Sequence, residues 1–180
     1  MFLAIKNSKL IAIHEVEWQC RRKAKGLDKS AYWTWLESVT TEDENGVKTY
    51  DFSGEDYEIV ETDAPLSYVS TVDGVTSIIS FNESGHIHQD GTFSLKWDGT
   101  KIVKDDTAKA TYDLAEEWKR IRAERTRLLA ETDWVVIKAR ENGGQVPAAW
   151  KTYRVALRDI PSEQSDKTKY SEITWPTRPE

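Results

Sequence analysis

Cysteine is almost missing from this sequence. Cys20 is the single cysteine in 180 residues, so an internal disulfide cannot form and a zinc site built from several cysteines is excluded. Folding therefore does not require an oxidising compartment. Because Cys20 lacks the neighbours of a catalytic thiol, we interpret it as a small buried hydrophobic residue.

Long apolar runs are also lacking. The opening, MFLAIKNSKLIAIHEVEW, places Lys6 and Lys9 inside its apolar part and has no small-residue cleavage site, which argues against a signal peptide. No run approaches the roughly 20 apolar residues that cross a bilayer. We expect a soluble protein that folds in the cytosol and has no membrane partner.

Positive charge is in deficit, with 25 Lys and Arg against 31 Asp and Glu and a formal net charge of −6. A protein whose main partner is DNA or RNA has the opposite balance, so no nucleic-acid partner is expected. The basic run RRKAK (residues 21–25) ends a short predicted helix, where cations suit the helix dipole, and is interpreted as a solvated helix end.

Motifs of common enzymes are missing as well. The sequence has no nucleophile elbow, no Walker loop and no glycine pattern for dinucleotide binding. The paired glycines of ENGGQ (residues 141–145) follow no buried strand, which argues against a phosphate loop. The abundant carboxylates allow a glycosidase-like pair, but no motif indicates one. We predict that the protein is not an enzyme and uses no cofactor.

Only three histidines are present, and two of them are closely spaced. In a strand, His86 and His88 would point to the same face, so both imidazoles could approach one metal ion. One chain would supply two ligands, which is too few, whereas a threefold axis could gather six. The alternative is a pair of polar residues on the exposed face of an edge strand. We predict no metal site.

Tryptophan, in contrast, is abundant, with eight residues. Tryptophan is enriched both in protein cores and at the anchor points of interfaces, so this excess favours packing or docking without separating the two.

The first 66 residues are predicted to form a small β-rich α+β module. MFLAIKNSKLIAIH is typical of a β-hairpin with its turn at Asn7-Ser8, and EVEWQCRRKAK of a short helix stopped by Gly26. YWTWLESVTTEDENGVKTYDF favours a second hairpin with a two-residue type I′ turn at Asn45-Gly46. A helix that aligns Tyr32, Trp35, Leu36 and Val39 is the alternative for its first half. DYEIVETD is predicted to be a strand.

Residues 67–104 are predicted to form a β-meander. Short apolar runs, VTSIISF, HIHQ, TFSLKW and KIVK, alternate with turn dipeptides. These dipeptides are Asp73-Gly74, Ser84-Gly85, Asp90-Gly91 and Asp98-Gly99.

Residues 105–180 are predicted to form an antiparallel helical hairpin, which makes the chain α+β. No Gly or Pro occurs in residues 107–132, which indicates one helix of about 26 residues, or roughly 39 Å, capped by one of residues 105–107. After a loop with Gly143-Gly144, a second helix is expected to begin at Pro147 and to end at Ile160, before Pro161. The long helix allows a homo-oligomer, although Arg125 at a buried seam position argues against an extended coiled coil.

Aromatic and arginine side chains are concentrated in the two helices of this predicted hairpin. Trp134, Trp150 and Tyr153 are expected to form an aromatic layer between them. Arginines are expected to stack beside the layer or to pair with aspartates and so to fix the register of the helices; these are Arg122, Arg125, Arg154 and Arg158, with Asp133 and Asp159. A two-helix hairpin is thin, so either the β-rich modules or a partner must cover the remaining apolar residues.

Three ordered blocks in this region, IRAERTRLLAETDW, AAWKTYRVALRDIP and a terminal WPTRP, resemble the tail assembly chaperone domain of tailed bacteriophages, which also occurs in tail fibre assembly proteins. The matching positions are Arg122, Arg125, Leu128, Leu129, Asp133, Trp134, Trp150, Tyr153, Arg154, Leu157, Arg158, Asp159, Ile160, Pro161, Trp175, Pro176 and Thr177. The family usually has a short turn rich in Pro and Asp between its helices, whereas this chain has the longer VVIKARENGGQV.

The resemblance implies a non-enzymatic phage protein that binds a tail fibre or other tail component and assists its assembly in the host cytoplasm. The alternative is a structural virion protein, a fibre or baseplate component that stays in the mature tail. The partner-binding residues implied are Trp134, Trp150, Tyr153, Arg154, Arg158 and Trp175.

Overall fold

The computed structural model describes residues 1–73 and 75–180, and the chain divides into two compact units, Met1–Lys109 and Ala110–Glu180. The α+β class predicted from the sequence is confirmed, with antiparallel strands in the first unit and helices in the second. Gly74, the second residue of the predicted Asp73-Gly74 turn, lies outside the described residues.

The first unit is built on strands, with two short helices between them. Its elements in chain order are β1 (Phe2–Lys6), β2 (Lys9–His14), α1 (Glu17–Ala24), α2 (Lys29–Ser38), β3 (Thr40–Glu42), β4 (Lys48–Tyr50), β5 (Glu58–Glu61), β6 (Ser67–Val72), β7 (Val75–Ser80), β8 (Leu95–Trp97) and β9 (Ile102–Lys104).

The main sheet of this unit is antiparallel and has the strand order β5-β1-β2-β8-β9. The first hairpin, the helix α1 and the strand β5 agree with the prediction, and Asn7 and Ser8 both adopt positive φ in the tight turn. The segment predicted as one meander contributes to two sheets. Strands β8 and β9 extend the main sheet beside β2, whereas β6 and β7 form a separate two-stranded ribbon.

The prediction of a strand around Trp33 and Trp35 is wrong, because these residues lie in α2. Asp28 caps this helix by accepting a hydrogen bond from the N–H of Ala31 at 2.8 Å. Helical geometry also buries Tyr32 against the ring of Trp18, with 5.8 Å between the centroids. The capping residue and this aromatic contact favour the helix over a strand in this segment.

A hairpin does follow α2, formed by β3 and β4, but its turn differs from the prediction. The connection spans residues 43–47, and the N–H of Gly46 bonds to the carbonyl of Asp43 at 3.0 Å. Gly46 has positive φ, whereas Asn45 does not, so the two-residue type I′ turn is wrong. The side chain of Asp43 accepts from the backbone of Asn45 and Val47 and holds the longer loop instead.

The histidine segment is not a strand. Ile87 makes only an isolated bridge with Phe93, and both His86 and His88 are buried. His86 bonds through Nδ1 to Ser84 and through Nε2 to Asp106, and the Nε2 atom of His88 bonds to the hydroxyl of Ser94. The predicted exposed edge strand is therefore wrong at this position, because hydrogen bonds satisfy these imidazoles inside the unit.

The second unit begins inside α3 (Asp106–Ala130) and continues with α4 (Asp133–Glu141), α5 (Ala148–Glu163) and a 3-10 turn, Tyr170–Glu172. The loop predicted between two helices is wrong in its first half, which forms α4. Helix α5 has Pro147 as its N-cap rather than as its first residue, and it continues past Pro161. Within the described part of the chain, no helix has the length and apolar character needed to cross a membrane.

Helix α3 and the segment after α5 run along each other. Arg154, in the first half of α5, contacts the carbonyl of Leu129 near the end of α3, while Tyr170 lies against Glu117 and Arg120 earlier in α3. The chain thus returns along α3, as an antiparallel arrangement requires. The core between them holds Ile121, Val135, Trp150, Tyr153, Leu157, Ile160 and Ile173.

Asp105 immediately precedes α3, caps it through the N–H of Ala108, and gives a testable prediction about pH. Burial opposes its ionisation, but the N–H of Ala108 and the ammonium of Lys96, at 3.1 Å and 3.0 Å, outweigh that cost and lower the pKa of Asp105 below its usual 3.8. Because the pKa of Asp105 is lower in the folded state, its carboxylate stabilises the folded protein at pH values above the pKa of the unfolded state. This stabilisation is lost as the pH falls through the pKa of the folded state.

We expect Asp105→Asn, which can still cap the helix, to lower the free energy of unfolding by about 1 kcal/mol at pH 7. The difference from the wild type should shrink as the pH falls below 3.8. Urea unfolding at several pH values measures this. A difference that stays constant down to pH 2 would contradict the assignment.

Candidate docking surface

Arg154 joins all three helices of the second unit. Its guanidinium is buried and donates hydrogen bonds to the carbonyl of Leu129 at 2.8 Å, to the hydroxyl of Thr132 and to the carboxylate of Asp133 at 2.7 Å. These acceptors lie at the end of α3 and the beginning of α4. Arg154 therefore satisfies a carbonyl at the C-terminal end of α3 and ties the turn between α3 and α4 to α5.

Three aromatic rings form the predicted layer, but they differ in exposure. The centroids of Trp134 and Trp150 are 6.3 Å apart and those of Trp150 and Tyr153 are 6.2 Å apart, both with edge-to-face geometry. Trp150 and Tyr153 belong to the core, whereas 51% of Trp134 is exposed. Trp134 is thus the member of the layer that a partner can reach.

An apolar patch lies on α4 around this ring. Ile137, one turn after Trp134, is 55% exposed, and the Lys138 ammonium lies 5.8 Å from the centroid of the Trp134 ring. Val135, on the opposite side of α4, is buried in the core. We call Trp134 and Ile137 the α4 patch; large exposed apolar side chains side by side are typical of an interaction site.

Trp175 packs against the C-terminal segment of the second unit. Its ring is half-buried and lies 5.6 Å from Tyr170, and its Nε1 atom is buried without a hydrogen-bond partner in the part of the chain that the structure describes. Arg178, further along, lies over the ring of Trp150 at 5.6 Å. The closing WPTRP block thus covers the helices, and less of Trp175 than of Trp134 is accessible.

The arginines and aspartates predicted to fix the helix register have different surroundings. Asp133 forms the ion pair with Arg154 described above. Arg122 lies over the ring of Trp118 at 5.7 Å. The Nε atom of Arg125 is buried and has no hydrogen-bond partner among residues 1–73 and 75–180. Among the described residues, Asp159 takes part in no ion pair. Arg154 and Asp133 are the members of this set that join two helices.

A cavity lined by cations lies between α4 and α5, with a volume of about 360 Å³. Arg140 lines it from the end of α4, and three cations of α5 line it from the other side, namely Lys151, Arg154 and Arg158. No carboxylate is among its lining residues, which also include Val136 and residues 144–146. We call this the basic cavity.

Part of the second unit is similar to a known protein family. Residues 118–180 match the family model described as phage tail assembly chaperone protein. The match covers the last third of the chain, confirms the resemblance found in the sequence and supports a role in phage tail assembly. Comparisons with curated proteins and with solved structures gave no match.

The segment that matches the chaperone family model, residues 118–180, contains the α4 patch, the Arg154 contacts and the basic cavity. Sequence reasoning identified Trp134, Arg154 and Arg158 within it. It did not identify Ile137 or Arg140, because the segment that forms α4 is predicted from the sequence to be a loop. Lys151 lies on the predicted second helix but was not singled out there. Asp133 in the first turn and Lys138 and Arg140 in the last are signals of a helix that could have indicated it.

Cys20 and the three histidines of the sequence lie in the first unit. Cys20 is fully buried, and burial raises the pKa of its thiol to about 11, so the thiol stays protonated at neutral pH. Across residues 1–73 and 75–180, no three His, Cys, Asp or Glu side chains come together as a metal site would require.

Proposed function

We propose that this protein is a non-enzymatic assembly factor that binds a tail fibre or other tail component and assists its assembly in the host cytoplasm. The observation that carries the proposal is the α4 patch, because it places an exposed tryptophan and isoleucine in the segment that matches the chaperone family. A half-exposed tryptophan anchored on a buried aromatic neighbour is the kind of residue that dominates binding energy at interfaces.

The non-enzymatic part of the proposal is supported by the state of the reactive side chains. The thiol of Cys20 is buried and protonated, and both ring nitrogens of His86 are engaged in hydrogen bonds. The segment that matches the chaperone family model instead offers an apolar patch and a charged cavity, which are features for recognising a protein surface.

Co-expression with the tail fibre of the same phage tests the proposal directly. We expect the fibre to copurify with this protein and its soluble fraction to increase. Absence of both effects would contradict the function. Purified phage particles give a second measurement, since a stoichiometric amount of this protein in them would show a structural component instead of a transient assembly factor.

Trp134→Ala is expected to weaken copurification by roughly 30-fold, because removal of an interface tryptophan costs about 2 kcal/mol or more. The folded state should persist, since half of this side chain is already in solvent. Trp33→Ala is the matched control, because it removes another partly exposed tryptophan from the first unit. Equal capture by wild type and Trp134→Ala would exclude the α4 patch as the contact.

A further inference from the structure

The basic cavity holds like charges that the rest of the chain does not balance. Arg154 has an ion-pair partner in Asp133, whereas Arg140, Lys151 and Arg158 are exposed and form no ion pair with any described residue. Three α5 cations occur at positions 151, 154 and 158, the spacing that places side chains on one helix face. The repulsion between these cations destabilises the folded protein. The cluster is positive although the net charge of the whole chain is −6.

The beginning of α5 adds to this positive potential. Its first turn contains no acidic residue, and no side chain in the described part of the protein caps its N-terminus. The backbone N–H groups of such a turn carry a partial positive charge, close to Lys151. The helix end and the cation cluster thus favour the same kind of occupant, a negatively charged group.

We propose that the basic cavity binds carboxylate side chains of an acidic peptide segment on the tail component, which rests on the function proposed above. Guanidinium groups match the geometry of carboxylates and can donate two parallel hydrogen bonds to one of them. Arg154 already donates three hydrogen bonds within the unit, and these fix the position of α5. The occupant's carboxylates therefore contact Arg140, Lys151 and Arg158.

The shape and charge of the site favour a peptide over nucleic acid. A cavity of about 360 Å³ holds one or two acidic side chains, whereas a nucleic-acid backbone is bound by a row of cations along an open surface. The overall negative charge of the chain also repels a long polyanion.

Titration of the full-length protein with synthetic peptides tests the proposal. We expect a capped hexaglutamate peptide to bind in 50 mM salt and to bind more weakly in 300 mM salt, because exposed charges are screened. A capped hexaglutamine peptide should not bind. The oligonucleotide (dT)6 should bind more weakly than hexaglutamate; binding at least as tight, and lost in Lys151→Glu, would overturn the carboxylate assignment in favour of a general polyanion site.

Lys151→Glu separates binding from stability. The substitution should weaken hexaglutamate binding at least ~tenfold, the loss expected when one charge-assisted hydrogen bond is removed. It also places a carboxylate in the uncapped first turn of α5, so the melting temperature should stay equal or rise. Arg158→Glu should weaken binding to a similar extent.

Lys119→Glu is the matched control, because it makes the same change of charge on an exposed residue of α3 that does not line the cavity. It should leave hexaglutamate binding within about twofold of the wild type. Equal loss in Lys119→Glu, or no hexaglutamate binding by the wild type, overturns the inference. Fibre copurification measures the proposed function separately: it can survive while peptide binding fails, or fail while peptide binding holds.

Discussion

Arg154→Ala is expected to lower the free energy of unfolding of the second unit by about 3 kcal/mol. The substitution removes three hydrogen bonds at once, to Leu129, Thr132 and Asp133, and leaves Thr132 buried beside an empty space. It also disconnects α5 from the turn between α3 and α4. The loss of stability is large because water reaches the three acceptors less easily at this buried position than at an exposed one.

Two further substitutions separate charge from geometry at this position. Arg154→Met keeps most of the side-chain volume but none of the donors, and Arg154→Lys keeps the charge without the planar fork. We expect both to destabilise the unit, with lysine costing less than methionine. Arg158→Ala, one turn further along α5 and exposed, is the control and should change stability by less than about 0.5 kcal/mol.

Calorimetry and urea unfolding of the full chain measure these effects. If Arg154→Ala unfolds within 0.5 kcal/mol of the wild type (roughly the scatter of surface substitutions), Arg154 does not hold the helices together. Because Asp133 precedes Trp134, the same substitution should also disturb the α4 patch. Loss of partner binding in Arg154→Ala is therefore expected but does not locate the interface, which is why the exposed Trp134 is the better probe.

Features set by neighbouring residues could be predicted from the sequence. The turn at Asn7-Ser8 requires positive φ at both residues, and short polar side chains tolerate that conformation. The spacing of Trp150, Tyr153 and Leu157 places them on one face of α5, and that face is the buried one. Local chemistry decides both features, so the pattern and the structure agree.

Helices α2 and α4 show where local patterns are ambiguous. The aromatic residues at positions 32, 33 and 35 of YWTWL fit a strand and a helix about equally, and the cap at Asp28 favours the helix. The segment VVIKARENGGQV, with its Gly143-Gly144 pair, predicts a loop, whereas its first half forms α4. Val135 is buried while Ile137 is exposed. The sequence alone does not predict which of these two apolar side chains faces the core.

Other contacts between distant segments could not be predicted from the sequence. Strand β8 pairs with β2 more than 80 residues earlier, and no pattern within either strand specifies this partner. The basic cavity arises in the same way, because Arg140 approaches the cations of α5 only after α4 folds back. Aspartates are the partners of the arginines that the sequence predicts, and Arg154 does pair with Asp133. It also donates to the backbone carbonyl of Leu129, and because every residue has a backbone carbonyl, the sequence does not single this acceptor out.

Phe81 is the residue of the first unit whose removal should have the largest effect. It follows β7 directly, is fully buried and packs against the core residues Leu3, Ile5 and Leu10 of the main sheet. The ring of Tyr68, on β6, stacks on it with 5.6 Å between the centroids. Phe81 thus attaches the separate β6–β7 ribbon to the core of the main sheet, together with Tyr68.

We expect Phe81→Ala to lower the free energy of unfolding of the first unit by about 4 kcal/mol, because a large cavity would open in a closely packed core. Phe81→Leu should cost less, since it restores most of the volume. Ile78→Ala, on the same ribbon but 76% exposed, is the matched control and should cost less than about 0.5 kcal/mol. If Phe81→Ala and Ile78→Ala have equal effects in urea unfolding, the ribbon is not attached to the core through Phe81.

A two-stranded ribbon is only marginally stable alone, so hydrogen exchange in β6 and β7 should rise sharply in Phe81→Ala.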